Sequence, residues 1–188
     1  MSLRVRKGDL VGVQGRAWVS RAIRWATRQK WEPKSLVNHH AIVVNDGPLQ
    51  DAEIVEATGK VRRGRLLDFY GGKPAKVEVW RVLNVTVEER DIIAGVAETL
   101  VGKRYPYHHL LWQFVDERLL NGRYWVRRLA TLDPFFICTP LAVSCYWAVG
   151  KKFGFKNPHQ ANPDNLRDFL EANPDKYFLA LPLVNLEV

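Results

Sequence analysis

The stretch Asn45-Asp46-Gly47-Pro48 narrows the fold more than any other feature of this chain. It is a turn signal set between two short β-branched runs, Asn38-His39-His40-Ala41-Ile42-Val43-Val44 before it and Ile54-Val55-Glu56-Ala57-Thr58 after it. A connection this short leaves no room for a crossover helix, so the two runs are expected to pair antiparallel. Side chains alternate along a strand, which puts His39, Ala41 and Val43 on one face and His40 on the other. Glu56 is out of place among apolar neighbours. A buried carboxylate is costly unless paired, and an imidazole on the adjoining strand is the nearest partner available to it.

The rest of the chain supplies the other parts of an α+β domain. Gly8-Asp9 with Leu10-Val11-Gly12-Val13-Gln14 reads as a turn feeding a first strand buried on both faces. Ser20 is placed to cap a helix over about 21–29, with Trp18, Ala22, Trp25 and Ala26 at helical spacing and Arg21, Arg24 and Arg28 facing out. Gly64 to Lys73 reads as a loop, and Ala75 to Leu83 alternates as a third strand. Thr86 and Glu89 form a capping box for a helix that carries Ile92, Ile93, Val96 and Leu100 and stops at Gly102. Residues 108–133 fit two short amphipathic helices joined at Asn121-Gly122, an insertion in a single domain spanning 1–188. Asn162-Pro163-Asp164 caps a helix to about Ala172, and Tyr177 to Leu183 is a closing strand.

Between the insertion and the last helix lies Cys138-Thr139-Pro140, followed by the apolar run Leu141 to Val149 and then Gly150. A proline in the first turn and a glycine stop make this a short buried helix with Cys138 at its N-terminus. Unsatisfied amides and the positive end of the helix dipole favour a thiolate there. Cys138 and Cys145 are the two cysteines. On one helix they stand roughly 10.5 Å apart, beyond the about 7 Å that a disulfide spans, so a reduced cytosolic protein is expected. The N-terminal residues carry no apolar signal core, and no stretch reaches the roughly 18 apolar residues of a membrane span. Both agree with a cytoplasmic location, with non-Sec export left open.

A thiol nucleophile needs a base within hydrogen-bonding reach, and the base needs a third group to orient it. Cys138, His39 and Glu56 have the chemistry for those three roles. Their order and surroundings resemble the circularly permuted NlpC-type papain-like cysteine hydrolases, including the bacterial YiiX-like group. The resemblance rests on Gly8-Asp9 with its strand, Ser20 with Ile23 and Thr27, Asn38 to Val43, Val55-Glu56-Ala57, Gly102 with Tyr105, and Cys138-Thr139. Asn38 stands where the family pattern has serine, Ala41 where it has glycine, and Thr139-Pro140-Leu141 where it has a Ser-Glu-Leu-like run. The resemblance implies a permuted papain-like fold with a small antiparallel sheet packed against helices. It also implies His39 as general base, Glu56 as orienting acid, Cys138 as nucleophile and Tyr105 beside the substrate or oxyanion.

Three functions stay open at the level of sequence. One is a cysteine peptidase or amidase acting on a peptide or peptidoglycan-like amide. Another is a lipid acyltransferase or thioesterase of the lecithin:retinol acyltransferase-like branch, suggested by the Trp- and Arg-rich stretches 17–31 and 110–128. The third is a basic binding module without catalysis. Net charge is +8 and the pI about 9.7, which suits an anionic surface. However, 20 acidic residues are scattered among 28 basic ones, so no specific nucleic-acid partner is expected. Hydrophobic residues at 47% and charged residues at 26% exclude a disordered or fibrous chain. Neighbouring strand histidines point opposite ways and no third ligand is spaced for zinc, so no metal or other cofactor is expected.

Overall fold

A computed structural model describes residues 3–16, 20–21, 24–25, 35–103 and 138–187. Its centre is an antiparallel sheet packed against a few helices. The strands are β1 (Arg4–Val5), β2 (Leu10–Gly15), β3 (His39–Val43), β4 (Gly47–Pro48), β5 (Glu53–Thr58), β6 (Lys60–Arg65), β7 (Ala75–Val82) and β8 (Tyr177–Asn185). The helices are α1 (Leu66–Tyr70), α2 (Val87–Thr99), α3 (Cys138–Trp147) and α4 (Pro163–Glu171). Six strands form the main sheet in the order β6-β5-β3-β2-β7-β8, while β1 and β4 make a separate two-stranded ribbon. Every pairing among the described residues is antiparallel.

The expected pairing of β3 with β5 is present, in a register that sets Ala41 opposite Glu56 and Val43 opposite Ile54. The segment between them is used twice, because Gly47–Pro48 pairs with Val5 and Arg4 before a single 3-10 turn leads into β5. The capping box of α2 is complete: the Thr86 side chain accepts from the Glu89 amide, and the Glu89 side chain accepts from the Thr86 amide. Asn162 caps α4 by accepting from the Asn165 amide at 2.8 Å. Each such cap is worth about 1 kcal/mol.

Each face of the sheet is covered. On one, Leu10, Ile42, Val55, Ala57 and Trp80 pack against Ile93 of α2, Leu141, Cys145 and Tyr146 of α3, and Leu166 and Leu170 of α4. On the other, Val11, Val13, Ala41, Val43, Ile54 and Val77 pack under Leu66 of α1, with Phe69 and Tyr70 at the margin. Helix α3 is buried over most of its circumference, as expected of a helix that is apolar all round. Fully burying each large aliphatic side chain is worth about 1.5–3 kcal/mol, so Leu141 and its neighbours fix the position of Cys138 at the start of that helix.

The structure corrects two local expectations. Residues 64–70 are not a loop, although 71–73 are a turn: Gly59, at φ +83°, closes a tight hairpin from β5 into β6, and α1 follows directly. A left-handed turn residue is what glycine supplies without steric cost. In the helical residues near the N-terminus Arg21 is exposed as expected, but Arg24 is buried and Trp25 about half exposed, the reverse of what was expected of those two. Ser20 sits against Gly15 of β2, so the face shared by Ser20 and Arg24 turns inward while Arg21 and Trp25 turn out. The helical insertion expected at 108–133 lies outside the described residues. Among those residues, no helix is long and apolar enough to cross a membrane.

Candidate active site

Asn38 pins the start of β3 to the end of β2, its side chain accepting from the Gly15 amide at 2.7 Å. The next residue, His39, is buried, and its Nε2 lies 2.9 Å from Glu56 Oε2. The register explains this contact, because Glu56 faces Ala41 and so sits diagonally from His39 on the same side of the sheet. Cys138, at the first position of α3, is also buried and interacts with the His39 ring as a hydrogen-bonding and electrostatic partner. With Nε2 engaged by Glu56, Nδ1 is the nitrogen left for the sulfur. The sulfur further accepts from the backbone N–H of His40. Cys138, His39 and Glu56, drawn from α3, β3 and β5, are thus brought together in one place.

The charges follow from this geometry. Burial opposes ionisation of Glu56, but hydrogen bonds and charge from His39, with Tyr70 and Arg62, hold its carboxyl down at about 2. For His39, too, burial disfavours the charged form, yet Cys138 and Glu56 together raise its pKa to about 10. Burial alone would push the Cys138 thiol up, but His39, the His40 amide and Thr139 bring it below the ordinary thiol value. A thiolate facing an imidazolium is the state these shifts describe. Cys145 shows the contrast: two turns along the same helix, buried without such partners, its thiol is pushed up to about 12. Both cysteines are free.

Two residues not anticipated from the sequence complete the carboxylate's surroundings. Arg62 of β6 lies directly across from Glu56 and donates from Nε to Oε1 at 2.8 Å. Its guanidinium is stacked over the Phe69 ring, 4.1 Å from the centroid. Tyr70, at the end of α1, donates its hydroxyl to Oε2, the same oxygen that holds His39. Burial and the nearby Glu56 charge keep that phenol protonated, with its pKa well above the usual value. The hairpin glycine at 59 was the available signal for Arg62, since a tight turn there makes positions 56 and 62 opposite each other. Nothing local in the sequence points to Tyr70.

His40 is fully buried on the opposite side of β3, with Nδ1 3.2 Å from Thr139 Oγ1. It is not part of the thiol–imidazole–carboxylate line, in agreement with its alternate position along the strand. Tyr105 lies outside the described residues. Among the described residues, no three His, Cys, Asp or Glu side chains gather as a metal-ligand group.

No protein-family model matches the sequence, and no curated protein is significantly similar to it. Among solved structures, the fold is similar to the metalloprotein YiiX from Escherichia coli O157:H7. The match has a TM-score of 0.52 and 20% sequence identity, and it covers 96% of this chain and 88% of that one. At that identity the likeness is one of fold, and it places the chain beside YiiX in architecture.

Proposed function

We propose that this protein is a cysteine hydrolase of the permuted NlpC-type papain-like kind, cleaving an amide bond with Cys138 as nucleophile, His39 as acid–base and Glu56 as its orienting carboxylate. The observation that carries the reading is the placement of one imidazole between a buried carboxylate, 2.9 Å away, and a thiol at a helix N-terminus. The Cys138 thiolate adds to the substrate carbonyl carbon. Its own backbone N–H, in the first turn of α3, donates to the oxyanion. As the C–N bond breaks, the His39 imidazolium gives its proton to the leaving amine, and a thioester remains on the sulfur. Water then attacks the thioester while His39 takes a proton from it, which releases the acid and restores the thiolate. Glu56 keeps Nε2–H of the ring fixed throughout, and Tyr70 and Arg62 keep Glu56 ionised.

YiiX is called a metalloprotein. In the present chain, His39 Nε2 is engaged by Glu56, and both Glu56 oxygens already accept from Arg62 and Tyr70. These residues do not fit a resident metal.

The test is intact mass of the protein after incubation with a bacterial cell-wall digest and, separately, with phospholipid vesicles. A peptidyl adduct on Cys138, absent in Cys138→Ala, is the expected result. A fatty-acyl adduct would assign the lipid acyltransferase chemistry instead. No adduct from either source, with Cys138 inert to electrophiles, would leave a binding module.

A further inference from the structure

His40 stands next to the proposed base without sharing its task, yet its surroundings are too specific for a filler of the core. His40 and Thr139 are both fully buried. Thr139 Oγ1 lies 3.2 Å from His40 Nδ1 and 3.9 Å from Cys138 Sγ. His40 Nε2 is buried with no hydrogen-bond partner among the described residues.

That unpartnered nitrogen decides the tautomer. A proton on Nε2 would bury an N–H donor with no acceptor among the described residues, whereas a proton on Nδ1 is donated to Thr139 Oγ1 and leaves only a bare lone pair on Nε2. With its oxygen accepting from His40, the Thr139 hydroxyl is free to turn its own hydrogen toward the sulfur. The groups facing this arm are His39 on β3, Glu56 on β5 acting through His39, Tyr70 on α1, and Arg167 on α4 with its partner Glu78 on β7. Burial first, then the charges of His39 and Arg167, hold His40 down at about 3, so the arm stays neutral while the thiol titrates.

We propose that Thr139, oriented by His40, donates its hydroxyl hydrogen to the Cys138 thiolate, so that the sulfur is held from two sides, by His39 on one and by a His40–Thr139 relay on the other. This rests on the reading of Cys138 as the nucleophile. His40 is a positioning residue, acting only through Thr139. The 3.9 Å separation is within reach of a sulfur acceptor, and a charged acceptor draws its donor in.

The experiment is the rate of Cys138 alkylation by iodoacetamide on the full chain between pH 5 and 10, located by peptide mass, with circular dichroism to confirm folding. Thr139→Val keeps the shape and removes the donor. It is expected to move the midpoint of the pH–rate profile up by about one unit, slowing the reaction about tenfold on the acid side of the wild-type midpoint and leaving the high-pH plateau unchanged. Thr139→Ser should restore the wild-type midpoint. His40→Asn, which keeps a donor near Nδ1, should fall between wild type and His40→Leu. A wild-type midpoint below that of ordinary thiols that does not move in Thr139→Val overturns this inference alone, as does a uniform loss of rate at every pH. A wild-type midpoint at the ordinary thiol value overturns the nucleophile reading and this inference with it.

Discussion

The two faces of the central sheet each bury a glutamate and a histidine and set an arginine against the glutamate, and the titrations of these groups shift in opposite directions. On one, Glu56 accepts from His39, Tyr70 and Arg62 and is held at about 2, while His39 is raised to about 10. On the other, Glu78 accepts from Trp80 Nε1 at 2.9 Å and from Arg167 Nε at 3.1 Å, yet burial outweighs them and raises its pKa. Arg167 divides its charge with Glu171 at 2.8 Å, and Glu171 adds a repulsion of its own. His40, on this second face, has no carboxylate partner and stays neutral. Residue type therefore does not decide the charge of a buried group. The charged partners and hydrogen bonds that offset its burial do, and Glu56 and His39 have more of them than Glu78 and His40.

The sharpest way to break this comparison is to neutralise each carboxylate in turn. Glu56→Gln takes from the buried His39 cation the carboxylate that pairs with it and leaves only the sulfur, and should cost about 3 kcal/mol in urea unfolding. Glu78→Gln keeps an acceptor for Trp80 and leaves Arg167 with Glu171, so about 1 kcal/mol is expected. Equal losses would erase the distinction between the faces.

The pH dependence of stability separates them by sign. Glu56, at about 2 against an ordinary 4.5, contributes stability that is fully present above pH 4.5 and lost as the pH falls toward 2. Glu78, raised from 4.5, holds its proton longer in the folded state, so its contribution is present below pH 4.5 and declines as the pH rises through its folded value. Urea midpoints followed across pH should show Glu56→Gln flattening the acid limb and Glu78→Gln flattening the decline above pH 4.5. Like slopes in the two variants would contradict the assignment.

Smaller effects sharpen the picture of Glu56. Tyr70→Phe removes one hydrogen bond to a buried anion and should cost about 1.5 kcal/mol by thermal or urea unfolding. Arg62 is partly exposed, and water can take its place, so Arg62→Met should cost only about 0.5 kcal/mol. A reversal of that order would make the guanidinium, not the phenol, the main support of the carboxylate.

Much of this was legible because it was local. Asn45 to Pro48 between two β-branched runs announced the β3–β5 pair, and with it the meeting of His39 and Glu56. Thr86 with Glu89, Asn162 before Pro163, and Cys138 ahead of Pro140 each mark a helix start with the residues that make it. Strand β6 escaped notice because Lys60, Arg62, Arg63 and Arg65 give it the look of a solvated loop, although an edge strand tolerates that many charges well. Glu78 gave no sign of its partner, since Arg167 lies 89 residues away and nothing in a linear pattern selects one arginine among many. Tyr70 was hidden for a related reason, because the direction of its hydroxyl depends on how α1 packs back over β5.

The adjacent histidines offer the most direct measurement of the account. Imidazole nitrogen NMR of the wild-type protein, with His39 and His40 assigned by substitution, reads the protonation of each ring between pH 5 and 8. His39 is expected as an imidazolium across the whole range, losing that state in Cys138→Ser, while His40 remains a neutral Nδ1–H ring throughout. A His39 ring that is neutral at pH 8 and titrates near 6.5, unaffected by the loss of the thiol, would contradict the claim that carboxylate, imidazole and sulfur act as one unit.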